Sequence, residues 1–215
     1  MAKAAKESKR SNASDRILHA AIVLFKARGY HGASVRELAQ AVRIEPASLY
    51  YHFPSKQAIL SALFERIMDA LLDGLDGAMA SGTTPEEQLR SAVRFHVLFH
   101  IARQDEAFIS HSELRSLSAP NRRRIIAKRD RYEQTIRTLL TTGVRAGSFA
   151  IADVRLTSTA ILVMCSGVSD WFVGRGRLNA DGVADRYADL VVRLVARTAN
   201  KQSRSPGVGK PSRQS

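Results

Sequence analysis

Between Ser34 and Lys56 the chain concentrates side chains suited to duplex DNA: Ser34, Arg36, Tyr50, Tyr51, His52 and Lys56. The polar tips of Tyr50, Tyr51 and His52 fit phosphate oxygens. Lys56, just after a capping serine at Ser55, opens a helix where an anion is favoured. The forked guanidinium of Arg36 matches guanine O6 and N7; a phosphate contact or a solvated arginine is the alternative. Pro46, Ala47 and Ser48 are small and permit close approach to base edges.

Two further constellations could bind something. His96 and His100 stand one helical turn apart, the spacing of a chelating pair, but no acidic residue follows at the spacing of a zinc protease. Hydrogen bonding inside a pocket is the competing reading. The second is Glu113-Leu114-Arg115 followed by Arg122, Arg123, Arg124, Lys128, Arg129, Arg131 and Tyr132, which reads either as the basic mouth of an apolar cavity or as a solvated helix face. No glycine-rich phosphate loop follows a strand, no Gly-x-Ser-x-Gly elbow is present, and no carboxylate pair has motif support. The sequence therefore predicts no enzyme, no cofactor and no dedicated metal site.

These groups need elements to hold them. Ser34 and Glu37 form a capping box, so a helix starts at Ser34 with Leu38, Ala39 and Val42 as its apolar face. Pro46 starts a second helix to about His52, with Leu49 and Phe53 turned to the core. Two helices joined so tightly predict a helix-turn-helix. Ahead of them, Ile17, Ala20, Ala21, Leu24 and Phe25 share one face of a helix from about Ser14 to Arg28.

Leu49-Tyr50-Tyr51-His52-Phe53 with Ser55-Lys56, and upstream Gly29-Tyr30, resemble the recognition helix and flanking turns of the TetR family of one-component transcriptional repressors. The resemblance covers about residues 15 to 64. It departs at Arg43, where the family's turn usually carries glycine, so Arg43 must accept a left-handed conformation or the turn must differ.

Downstream, the apolar spacing predicts a long helix to about Met79, one from Thr84 or Pro85 to about Arg103, and one from Glu106 to Leu117. Others follow from Pro120 to about Ala146, Asp153 to about Val173, and Asp181 to about Ala199. Nothing alternates like a sheet. The expected fold is all-α with about nine helices, a three-helix DNA-binding head ahead of a helical ligand-binding and dimerisation bundle. The boundaries are a disordered basic arm at 1–14, the head at 15–56, the body at 57–200 and a disordered basic tail at 201–215.

A two-fold dimer reads two half-sites. Ala160, Ile161, Val163, Met164, Gly167, Val168 and Trp171 in one of the last two helices, with Leu190, Val191, Leu194 and Val195 in the other, suit an interhelical homodimer interface; intramolecular core is the alternative. The resemblance further implies an effector held between body helices that shifts the fourth helix. Candidate ligand-binding residues are Phe95, His96, Phe99, His100, Phe108, Leu114, Arg115, Arg122, Ile136, Leu140 and Phe172. The body looks like members that sense acyl-CoA thioesters, which makes a small hydrophobic effector, and an acyl-CoA among such compounds, the expectation. Another hydrophobic compound or a metal is the alternative.

Composition agrees. The 215 residues carry 33 Lys and Arg against 20 Asp and Glu, and the resulting net charge of +13 favours a polyanion through counterion release. A non-specific architectural nucleic-acid binder shares that charge but needs no large apolar body. No stretch reaches the ~20 apolar residues of a membrane span, no signal peptide is expected, and the single Cys165 suits a reducing cytoplasm.

Overall fold

The computed structural model describes residues 2–197, with side chains from residue 12 onward. The expected tail at 201–215 lies outside the described residues. Helix α1 spans Ala2–Gly32 and breaks at Gly29, whose φ of 69° is left-handed. It continues back to Ala2 in place of the expected disordered arm. Ala2, Ala4 and Ala5, with Lys3, Lys6 and Glu7, are strong helix formers with no proline or glycine among them, which favours propagation.

Helix α2 (Val35–Ala41) starts from the expected capping box, with the Ser34 hydroxyl accepting from Glu37 N–H and the Glu37 carboxylate from Ser34 N–H. It ends in a Schellman turn: Ile44 N–H donates to Ala39 O at 3.0 Å and Arg43 N–H to Gln40 O at 3.1 Å. Arg43 has φ 58°, so the departure from glycine is accommodated by strain rather than by a different turn. Arg16 braces the same turn by donating to Val42 O at 2.7 Å. Arg43→Gly should therefore relieve about 1 kcal/mol. In a chain of this size that raises the melting temperature by about 2–4 °C; an unchanged or lower value would show that the arginine is not strained.

Helix α3 (Pro46–His52) buries Leu49 and is followed by buried Phe53, as the spacing requires. Helix α4 (Lys56–Ala80) is capped by Ser55 and runs out of the head into the body. Its first half joins Ile17, Ala21 and Phe25 of α1 and Leu38 and Leu49 through Ile59, Leu60, Leu63 and Phe64, all essentially inaccessible to solvent. Each of the leucine, isoleucine and phenylalanine side chains contributes about 1.5–3 kcal/mol by burial.

In the body, α5 (Pro85–Ala102) starts from a second capping box at Thr84 and Glu87. Helix α6 (Gln104–Ser112) ends earlier than expected, in a 3-10 turn at Leu114–Ser116. Then come α7 (Ala119–Arg145), α8 (Val154–Ser166), the short α9 (Val168–Trp171) and α10 (Ala180–Val195). The helix expected from Asp153 to Val173 is thus α8 and α9, meeting at Gly167. Helix α5 is the centre of the bundle, packed by α4, α7, α8, α9 and α10. Among the described residues no strand forms beyond a single bridge between Phe149 and Ala196, and no helix is long and apolar enough to cross a membrane.

Candidate functional site

On the head, Ser34, Arg36, Ala47, Ser48, Tyr50 and Tyr51 are exposed, and Pro46, His52 and Lys56 are half-buried. Tyr50 and Tyr51 expose 50% and 61% of their surface although both are large aromatics, because Leu49 and Phe53 take the inward positions of the short helix. His52 packs edge-on against Tyr51, and its Nδ1 lies 3.4 Å from the Ser14 hydroxyl.

Lys56 does more than face outward. Its ammonium donates to Tyr30 O at 2.9 Å and Ala33 O at 2.8 Å and sits 4.4 Å from the Tyr30 ring centroid. It therefore ties the connection between α1 and α2 to the start of α4. Lys56→Ala should lower the melting temperature, because hydrogen bonds to a charged group are worth about 1.5–3 kcal/mol each when shielded and less here, where solvent reaches the site.

A second clasp holds the same connection. Glu113 accepts from Tyr30 N–H at 3.0 Å and from the Ser116 hydroxyl at 2.6 Å. Gln57, in the first turn of α4, donates to Ser116 O at 2.6 Å and to the Tyr30 hydroxyl at 3.0 Å, and accepts from Ser118 N–H at 2.9 Å. Ion pairs between Lys26 and Asp105 and between Arg66 and both Asp15 and Glu106 extend the junction. Helix α6 is thus bonded directly to the head as well as through α4.

Within the body, a cavity of about 570 Å³ opens between α4, α5, α6, α7 and α8. Met68, Leu71, Leu162 and Val163 form its apolar wall; His96, His100, His111, Arg129, Tyr132 and Ser166 supply polar groups. His96 Nδ1 lies 2.8 Å from the Tyr132 hydroxyl and Nε2 2.9 Å from the Ser166 hydroxyl, so both its nitrogens are engaged. Burial holds the pKa of His96 well below the usual imidazole range, with neighbouring His100 adding to the effect. His100 is likewise lowered to about 4, chiefly by burial, with His111 adding to the effect and Asp170 opposing it. Both are neutral imidazoles near pH 7. Burial pushes Tyr132 above the phenol range and Cys165 up to about 12. Among the described residues no group of three or more His, Cys, Asp or Glu side chains could hold a metal ion.

Of the ligand candidates from sequence, His96 and His100 line this cavity and the others do not. Phe95 lies against α4 at Gly74, where an added Cβ would come within 2.2 Å of its ring. Phe99 stacks on the Arg103 guanidinium, 4.7 Å from its centroid. Ile136 and Leu140 are core, and Leu114 is half-buried against that core. Phe108, Arg115 and Arg122 are exposed. Phe172 borders a separate depression, its carbonyl held by Gln104 at 2.6 Å.

The basic run divides by helix phase. Arg124 and Lys128 pair with Glu65 and Asp69 and tie α7 to α4. Arg129 alone turns into the cavity, donating to Ser110 O at 2.7 Å. The sequence places Arg129 and Tyr132 in a basic run that could form a cavity mouth but does not single them out among the ligand-binding candidates. The signal was present: Arg129 stands four residues after buried Ile125 and three before buried Tyr132, on the inward stripe of α7.

A third feature is an apolar surface on the last helices. Leu156 and Val163 on α8 expose 67% and 68% of their surface, with Ala160 between them also exposed; Leu190 and Leu194 on α10 expose 54% and 60%. Trp171 is half exposed and stacks on Tyr187. Ile161, Val168, Val191 and Val195, expected in the same stripes, are buried within the chain.

This combination of a capped helix-turn-helix head and a hollow helical body has relatives. Residues 17–63 match the family model of bacterial regulatory proteins of the tetR family, and residues 82–195 match that of the tetracyclin repressor-like C-terminal domain. The chain is 26% identical over 187 residues to the transcriptional repressor KstR2 of Rhodococcus jostii, covering 86% of this chain and 92% of the relative. It is 22% identical over 178 residues to the fatty acid metabolism regulator protein of Bacillus subtilis, covering 82% and 92%. Its fold superposes on the crystal structure of AibR in complex with isovaleryl coenzyme A and operator DNA with a TM-score of 0.74 at 26% identity, covering 86% of this chain and 98% of that one. With the second of the two family models alone spanning more than half of its length, the chain belongs to the TetR family of transcriptional regulators.

Proposed function

We propose that this protein is a homodimeric repressor that binds a palindromic operator and is released from it by a small hydrophobic effector, an acyl-CoA thioester being the leading class. The observation that carries this reading is the cavity's shared wall. Met68 and Leu71 line it and belong to the same helix as Lys56, which follows the recognition helix directly. From Lys56 to Met68 is about 18 Å at 1.5 Å per residue, a short and stiff lever. Ser110 and His111, at the cavity, lie next to Glu113, which holds the head at Tyr30.

An effector that fits the cavity better in one tilt of α4 and α6 shifts the heads by its differential affinity for the two states. Arg129 suits an anionic group and the apolar wall suits hydrocarbon. Two of the relatives point the same way by their names, one to fatty acid metabolism and one to a bound acyl-CoA.

At the operator we assign Arg36, Ala47 and Ser48 to the surface nearest the bases. Ser34, Pro46, Tyr50, Tyr51, His52 and Lys56 fix register on the backbone. Arg36→Ala should relax preference at one base position, whereas Lys56→Ala should weaken all sequences alike. A change of sequence preference in Lys56→Ala alone would reverse that division.

The test is a mobility shift on the protein's own upstream intergenic DNA against scrambled DNA, with and without long-chain acyl-CoA. Release at micromolar acyl-CoA, with free fatty acid and CoA inactive, is expected. Specific binding undisturbed by any acyl-CoA would keep the regulator and remove this effector class. A uniform, steeply salt-dependent affinity for both DNAs would instead favour an architectural role.

A further inference from the structure

The cavity is graded from mouth to floor. Val163, Thr159, Asp170 and His111 at its mouth are exposed, whereas His96, His100 and Tyr132 at its floor are buried. On that floor His96, Tyr132 and Ser166 satisfy one another in the hydrogen-bonded chain described above.

His100 stands outside the chain. Its Nδ1 is buried with no hydrogen-bond partner, and among the described residues Nε2 has no protein partner either. The ring is held by packing and not by hydrogen bonds, tilted against His96 with centroids 4.5 Å apart and edge-on to Phe99 at 5.9 Å. A neutral imidazole offers one N–H donor and one lone pair, and a nitrogen left unfilled in a shielded site is costly.

A saturated acyl chain would set its terminal methyl on this floor and fill neither. A carboxylate would bring a charge to a region that keeps its own histidines uncharged. A neutral oxygen can pair with a ring nitrogen without bringing charge: a ketone accepts from the N–H, and a hydroxyl either accepts from the N–H or donates to the lone pair. We infer that the effector carries a hydroxyl or keto oxygen at the end that enters the cavity first, where His100 takes it, with its anionic portion toward Arg129. This rests on the cavity being the effector site and narrows the ligand from hydrophobic thioesters in general to oxygenated ones.

Burial keeps His100 neutral well above its depressed pKa of about 4, and the groups facing it are His96, His111 and, at the mouth, Asp170. The discrimination should therefore be constant between pH 6.5 and 8.

The experiment titrates the full-length protein by calorimetry and in the mobility shift with saturated acyl-CoAs of about six to twelve carbons. Each is paired with the same chain bearing a terminal hydroxyl or oxo group. The oxygenated partner should bind at least about 10-fold tighter, the scale set by one unsatisfied buried polar group. That preference should disappear in His100→Leu and persist in part in His100→Asn, which keeps a donor and an acceptor. Should His100→Leu fail to fold, the wild-type comparison and His100→Asn carry the test. Saturated chains that bind as well as their oxygenated partners, or a preference that survives His100→Leu, overturn the inference and leave the acyl-CoA reading intact. If neither series binds at all, the acyl-CoA reading falls and takes this inference with it.

Discussion

The double substitution Leu190→Arg and Leu194→Arg should yield a folded monomer whose operator affinity is at least 10³-fold lower, a loss of about 4 kcal/mol. Both leucines lie one turn apart on α10 and are more than half exposed in the protomer, so arginines there meet water and not the core. In a dimer joined through α8 and α10 the same positions would be buried, and four guanidinium groups without partners would oppose each other across the two-fold axis. One head alone contacts a single half-site, which is why losing the dimer costs far more than losing any one base contact. Sedimentation and operator titration check the two halves of the claim together. A variant that remains dimeric would move the interface away from α8 and α10; a monomer with full affinity would refute two-site reading of the operator.

The second large effect is on stability in acid. His96 and His100 are held neutral by burial, with folded pKa values below the 6.5 of an exposed imidazole. The unfolded chain therefore binds more protons than the folded one between pH 6.5 and about 4, and stability falls as pH falls through that window. It is fully present above pH 6.5. From His100 alone the loss at pH 5 is on the order of 2 kcal/mol, at 1.36 kcal/mol per pKa unit. His96 adds to it in the same direction. Thermal melts from pH 7.5 to 4.5 should show the decline, and His100→Leu should flatten it. A melting temperature that is constant down to pH 5 would mean that these histidines are hydrated or charged in the folded protein.

Local rules made the head legible. Ser34 with Glu37, and proline at 46 and 85, announced helix starts that the structure uses, because a cap is satisfied by residues within one turn of it. The resemblance marked Arg43 as a departure with two outcomes, a left-handed arginine or a different turn, and its φ of 58° is the first. The body was legible as helices but not as a cavity. Phe95 and His96 are adjacent on α5, yet one meets Gly74 of α4 and the other faces Tyr132 and Ser166. Periodicity gives the phase of a residue on its own helix and says nothing about which helix lies opposite. Arg115 and Arg122 were drawn to the mouth by their charge, whereas the guanidinium at the cavity, Arg129, was marked by its phase with Ile125 and Tyr132.

The central claim is that occupancy of the body cavity moves the heads, and the most direct measurement is the distance between them. Cys165 is buried, with its thiol pushed up to about 12, so it resists labelling. Gln40→Cys, on the exposed side of α2, then gives one spin label per head. Double electron–electron resonance on the dimer should report one narrow separation on operator DNA and a separation changed by several ångströms when saturating effector releases it. A separation that does not change while calorimetry shows the cavity filled would contradict the account.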